Sequence, residues 1–199
     1  MDRKTLLLIT LFVEGGLFVF GLLLMGGPGV LLSKFSISWS ATGYALSFCI
    51  PLFVGLYFAV ASRWEPLSRL KNELDEKVIP IFANCKIIDL AVIAFLAGIS
   101  EELFFRGWLQ GALTSKIGVL VGILVASAIF GFAHYLSSTY AIYAGLTGIY
   151  LGAIYQTSGN LYIVMVIHAL YDFVALVYLV RMREEKKTEF QSTSDAEGN

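Results

Sequence analysis

Long apolar runs, broken by short polar stretches, fill most of this chain. A run of about 20 apolar residues can cross the roughly 30 Å hydrocarbon core of a bilayer as a helix. Six such runs stand out, over about 5–25, 41–62, 88–113, 118–136, 139–158 and 160–181. The pattern predicts an all-α fold: a polytopic transmembrane helix bundle of about six helices with a membrane-embedded polar site, in one domain over 1–181. The first run follows MDRK in the manner of a signal peptide. It is long for that role, and its end, LLLMGGPGV, lacks a small-x-small cleavage site, so it is expected to remain as a helix.

The stretch 65–82, EPLSRLKNELDEKVIPIF, follows a different pattern. Leu67, Leu70, Leu74 and Val78 fall at helical spacing among charged residues, as in an amphipathic helix lying on a membrane surface. Pro66 suits its first turn and Pro80 a stop. The tail 182–199 is polar and is expected to be disordered and cytosolic. Glycines recur four apart at Gly107/Gly111, Gly118/Gly122 and Gly148/Gly152, a spacing that lets helix backbones approach closely in lipid.

Composition agrees with the pattern. Of 199 residues, 57% are hydrophobic and only 15% charged, with a mean hydropathy of +0.76; a soluble domain is about 25% charged. A net charge of −1 leaves no basic surface for nucleic acid. Cys49 and Cys85 belong to no metal-type spacing and read as small buried hydrophobes. If six spans cross, one side carries eleven of the Lys and Arg residues and the other only Lys34 and Lys116, with Arg106 inside a span. That bias predicts both termini in the cytosol. A short chain with no retention or transit signal is expected in a bacterial plasma membrane.

The ionisable residues within the runs are Glu14, Asp89, Glu101, Glu102, Arg106, His134, His168 and Asp172. Burying a charge in a span costs roughly 2.5–3.5 kcal/mol, so each of these needs a reason to be there. Glu14 and Asp89 lie near no other such group in sequence and are read as structural, Asp89 meeting a helix dipole near an N-terminus. The other six form E-E-x-x-x-R at 101–106, F-x-x-x-H at 130–134 and H-x-x-x-D at 168–172. Glu102 and Arg106, four apart, share a helix face and can pair. Glu101 points elsewhere, about 140° from Arg106. His168 and Asp172 project from one face, and Phe130 is expected to pack. The turn between the third and fourth runs falls midway between residues 101 and 134, so Glu101 and His134 should meet at one depth.

A buried carboxylate facing a histidine can hold and deprotonate water, and a second histidine can donate to a developing oxyanion. These are the parts for peptide-bond hydrolysis without a covalent intermediate. The expected enzyme is an intramembrane, glutamate-dependent endopeptidase with Glu101, Glu102, Arg106, His134, His168 and Asp172 as its catalytic set. Neither a serine nucleophile in a Gly-rich turn nor an H-E-x-x-H zinc motif is present. No cofactor is expected, although a zinc-dependent protease using Glu101, His134 and His168 stays open on ligand type. A non-catalytic immunity or scaffolding protein is the alternative from another class. A proton-coupled transporter ranks last, for want of an inverted repeat.

The segments EELFFRGWLQ, FGFAH and HALYD, in this order on successive apolar helices, resemble the three motifs of the CPBP family. That family, also called Abi, comprises CAAX prenyl endopeptidases and bacteriocin-processing or immunity proteins. The resemblance covers about 88–175. It implies Glu101 as the base activating water, His134 as its assistant, Glu102 and Arg106 as support, and His168 with position 172 at the oxyanion. Position 172 is aspartate here, where the best-understood members carry asparagine, and an ionised Asp has no hydrogen to donate. The partners implied are the bilayer and a peptide or protein substrate at the membrane, lipid-modified or not.

Overall fold

A computed structural model of the chain describes residues 1–197, with side chains through Arg181; the tail expected over 182–199 lies outside these fully described residues. All six apolar runs are helical, and no strand occurs among the described residues. Helix α1 (Arg3–Met25) is capped by Asp2, whose carboxylate accepts the Thr5 N–H at 2.8 Å, a bond that holds this carboxyl below its usual range. It ends at Gly26, where φ is 108°. A short α2 (Pro28–Ser33), not expected from the sequence, leads to α3 (Trp39–Ala61). The loop after α2 is pinned to a turn much later in the chain: Asn160 accepts from the Ser36 N–H at 3.0 Å and donates to the Ser36 carbonyl at 2.8 Å.

The amphipathic stretch is helical but not uniform. Helix α4 (Glu65–Glu73) passes through a π-helical segment (Leu74–Val78) into α5 (Ile79–Phe82). Pro80 does not stop it. It sits in the first turn of α5, where a missing N–H costs least, and the helix ends two residues later.

The third run bends the simple picture again. Helix α6 (Ile87–Glu102) continues as a π-helix (Leu103–Gln110) and then α7 (Gly111–Ile117). Gly118, at φ 86°, turns the chain into α8 (Val119–Ala133). Helix α9 (Ser138–Ser158) ends at left-handed Gly159, and α10 (Leu161–Glu197) follows. Both hairpin turns lie where the apolar runs predicted them.

Among the described residues, three helices are long and apolar enough to cross a membrane: Arg3–Met25, Trp39–Ala61 and Leu161–Arg181. A fourth candidate is the pair Glu65–Phe82 and Ile87–Ile117, bent by 107°. Helix α8 has 15 residues, hence about 22 Å, too short for the hydrocarbon core. Helix α9 is long enough, but Ser, Thr, Tyr and Gln dilute its apolarity. The six helices are therefore unequal.

Phe12 is 84% exposed, Leu23 70% and Leu120 71%, as suits helices whose outer faces meet lipid. This is a membrane protein. Burial singles out α10 as the central helix: 39% of its most apolar window is buried, against 11% for α1 and α3. It packs on α6 and α3, with Leu161, Val164 and Ile167 fully enclosed.

The glycines that matter are partly those predicted. A Cβ on Gly98 would come within 2.7 Å of the Ala169 backbone nitrogen, so Gly98 sets the contact of α6 with α10. Gly122 approaches Thr114 as closely, and Gly131 meets the Ala141 carbonyl. Of the predicted pairs, Gly148 and Gly152 face neighbouring side chains, but Gly111 has open space and Gly118 serves a turn.

Candidate active site

Three elements converge beside α10. Glu101 and Glu102 end α6, Arg106 lies in the π-helical segment, His134 closes α8, and His168 and Asp172 stand one turn apart on α10. The structure brings all six residues together. Glu102 Oε1 accepts from Arg106 Nη1 at 2.7 Å and from His168 Nδ1 at 2.8 Å. Arg106 also donates to the Gly148 carbonyl of α9 at 3.1 Å. The side chains of Glu102, Arg106 and His168 are 0%, 3% and 5% exposed, so the ion pair is deep inside.

Glu101 is oriented away from that pair. Its Oε2 lies 3.4 Å from His134 Nε2 and 3.9 Å from His168 Nε2, and this oxygen is buried without a hydrogen-bond partner. The depth match between residues 101 and 134 thus appears as contact range. His134 Nδ1 lies 2.9 Å from the Phe130 carbonyl. A carbonyl only accepts, so Nδ1 carries the hydrogen and a neutral ring turns the lone pair of Nε2 toward Glu101. His168 Nε2 faces Asp172 Oδ2 at 3.3 Å.

Residues 83–174 match the family model described as Type II CAAX prenyl endopeptidase Rce1-like.

This is the segment that carries the three motifs, and the family is one of CAAX-type membrane proteases. A protein of Bacillus subtilis (strain 168), under the name "Uncharacterized protein YpbD", is 29% identical over 114 residues. That alignment takes in 55% of this chain and 56% of the relative, so the chain spans about half the length of the curated relative it matches. No solved structure matches. The matched segment holds every residue of the site, whereas α1 and α3 lie before it.

Phe130 does more than fill space. Its ring lies under the Arg106 guanidinium, 4.6 Å from the centroid, and 4.4 Å from the His134 ring, with Phe105 edge-on at 4.9 Å. One aromatic ring therefore links the buried cation to the histidine beside Glu101.

Several neighbours of the site were less legible from the chain. Gln110, 1% exposed, donates to the Gly152 carbonyl at 3.0 Å and repeats the Arg106–Gly148 contact one step along both helices. The shared four-residue spacing was its only signal. Glu14 accepts a hydrogen bond from Ser100, next to Glu101, and feels the charges of Glu101, His134 and His168. Nothing local in the sequence connects α1 to this place. Asp89, by contrast, is a structural residue: it accepts from Arg3 Nε at 2.5 Å and Nη2 at 2.6 Å and from the Lys86 N–H at 2.7 Å.

An apolar cavity of about 290 Å³ opens beside the histidines. Its walls include Leu52 and Leu56 of α3, Tyr140 and Tyr143 of α9, and His168 and Asp172. Leu67, Leu70, Leu74 and Val78 of the amphipathic stretch also line it. The apolar face predicted to meet a membrane surface therefore meets this cavity. Among the described residues, no group of three or more His, Cys, Asp or Glu side chains is arranged to hold a metal ion.

Proposed function

We propose that this chain is a membrane-embedded endopeptidase in which Glu101 activates a water molecule for attack on a peptide bond. The observation that carries the reading is the Glu101 carboxylate, with one oxygen buried, free of any hydrogen bond and 3.4 Å from a histidine nitrogen. A buried polar atom without a partner is rare and calls for an explanation, and a site for reacting water is one. A structural role accounts for Glu102, Arg106 and His168 through the two hydrogen bonds at Glu102 Oε1, although Glu102 Oε2 is also buried without a partner, whereas no hydrogen bond holds the Glu101 oxygen that faces the histidines.

Water held between Glu101 Oε2 and His134 Nε2 meets two acceptors. Glu101 takes its proton as the oxygen adds to the carbonyl carbon, and returns it to the leaving amine. The Phe130 carbonyl fixes the tautomer of His134. Glu102 and Arg106 hold the helix face behind Glu101, and Asp172 orients His168. The substrate is a peptide or protein reaching the apolar cavity at the membrane, with or without an attached lipid. The Lys and Arg bias favours both termini in the cytosol, in a plasma membrane of bacterial type.

The test is peptidase activity of purified protein in detergent or liposomes against a peptide library, with and without chelator. Wild type should cleave, Glu101→Ala and His134→Ala should not, and chelation should leave cleavage intact. Cleavage that survives Glu101→Ala overturns the mechanism. Loss on chelation with rescue by zinc replaces it with a metal-assisted one.

A further inference from the structure

Hydrolysis at this site requires a hydrogen-bond donor where the tetrahedral oxyanion forms, and the six residues supply few. Glu101, Glu102 and Asp172 bear carboxylates, which accept when ionised. Arg106 is spent on Glu102 and Gly148. His168 directs Nδ1 at Glu102 and Nε2 at Asp172, and His134 uses its Nδ1 hydrogen on Phe130.

The cavity wall offers other donors, and most are engaged. Lys71 Nζ is held by the carbonyls of Val60 and Ser62, each at 2.8 Å. Thr147 donates to the Tyr143 carbonyl at 3.1 Å. Tyr143 and Tyr171 hydrogen-bond to each other at 2.7 Å and so use one of their two hydrogens internally. Tyr140 differs. Its side chain lines the same cavity as His134, His168 and Asp172, it lies within electrostatic range of both Asp172 and Glu101, and its hydroxyl has no bond to any described residue. Its backbone is fixed at the start of α9, six residues after His134, where its N–H meets the Ser137 cap at 3.4 Å.

We infer that Tyr140 is a further catalytic residue, whose hydroxyl donates a hydrogen bond to the oxyanion of the peptide carbonyl during hydrolysis. The inference rests on the protease reading above. As the water oxygen bonds to the carbonyl carbon, the π electrons move to the carbonyl oxygen and the water proton moves to Glu101. Tyr140 keeps its own proton and donates only a hydrogen bond. When the tetrahedral species collapses, the C=O bond reforms, the C–N bond breaks, and the amine leaves with the proton from Glu101. The products are one carboxylic acid and one amine, with no other reactant.

The experiment compares wild type, Glu101→Ala and Tyr140→Phe on a peptide that wild type cleaves. Tyr140→Phe keeps the ring and its packing, so its unfolding temperature should match wild type. Loss of one oxyanion donor lowers kcat by about 10²–10³-fold, and KM should stay near the wild-type value. A peptide phosphinate, which mimics the tetrahedral species, should bind Tyr140→Phe more weakly by a similar factor. An unchanged kcat overturns the assignment, and so does a raised KM at constant kcat, which would mark ground-state binding. If wild type cleaves and Glu101→Ala does not, failure of the Tyr140 variant to respond refutes Tyr140 alone. If folded wild type cleaves nothing in the library, the protease reading falls and this role falls with it.

Discussion

His168 Nδ1 and Arg106 Nη1 share one acceptor, Oε1 of Glu102, at 2.8 and 2.7 Å. That single oxygen ties α10 to the π-helical segment, and through Arg106 to α9. Oε2 of the same carboxylate is buried without a partner. All three side chains of the network are buried.

Removing Glu102 should therefore damage the fold as well as the chemistry. Glu102→Ala leaves the Arg106 charge buried and unpaired, which costs on the order of 3–5 kcal/mol. Chemical unfolding in detergent should register that loss, whereas wild-type stability in this variant would mean that Arg106 finds another partner.

Glu101 should behave in the opposite way. One of its oxygens is buried without a hydrogen bond, and freeing such a group recovers a desolvation penalty of about 1–3 kcal/mol. Glu101→Leu is expected to match or exceed wild type in unfolding stability while peptidase activity falls by at least about 10²-fold. The same two assays read both outcomes, and a clear loss of stability would make Glu101 a structural residue.

Gly98 tests whether the α6–α10 contact controls the site. A Cβ there would lie 2.7–2.9 Å from backbone and Cβ atoms of Ala169, the neighbour of His168. Because the obstacle is helix backbone, the helices must part. Gly98→Ala should lose about 1–3 kcal/mol by overpacking. Activity should fall further than stability explains, since Glu101 and Glu102 lie one turn beyond Gly98. Gly111→Ala is the control, as nothing stands within 4 Å of its added carbon.

Phe130 can be tested by shape. Phe130→Leu keeps a large apolar side chain but removes the ring beneath Arg106, at a cost of about 0.5–2 kcal/mol on top of a small repacking loss. The affinity of His134 for protons, followed by NMR of the labelled ring, should change in this variant, because the ring 4.4 Å away is lost. An unaltered His134 titration would reduce Phe130 to a packing residue.

Much of the site was legible because it is local. Four-residue spacing joins Glu102 to Arg106 and His168 to Asp172 on any helix, and equal distances from a turn bring Glu101 level with His134. The long apolar runs likewise determine helices, since a bilayer leaves backbone groups no other partners. What spacing could not determine is where helices depart from regular geometry and which faces meet. The π-helical form over Leu103–Gln110 is one such departure, and from it Arg106 and Gln110 reach the carbonyls of Gly148 and Gly152. Glu14 comes beside Ser100 only because α1 packs on α6. The apolar face over 65–82 could have met lipid or protein by its pattern alone, and packing turned it toward the cavity. Helices and pairs one turn apart could be read from the chain alone, because they follow from rise and rotation along one axis. Which helices touch, and with them the place of Tyr140 at the cavity wall, had to come from the folded molecule, because contacts between distant segments depend on the fit of whole surfaces.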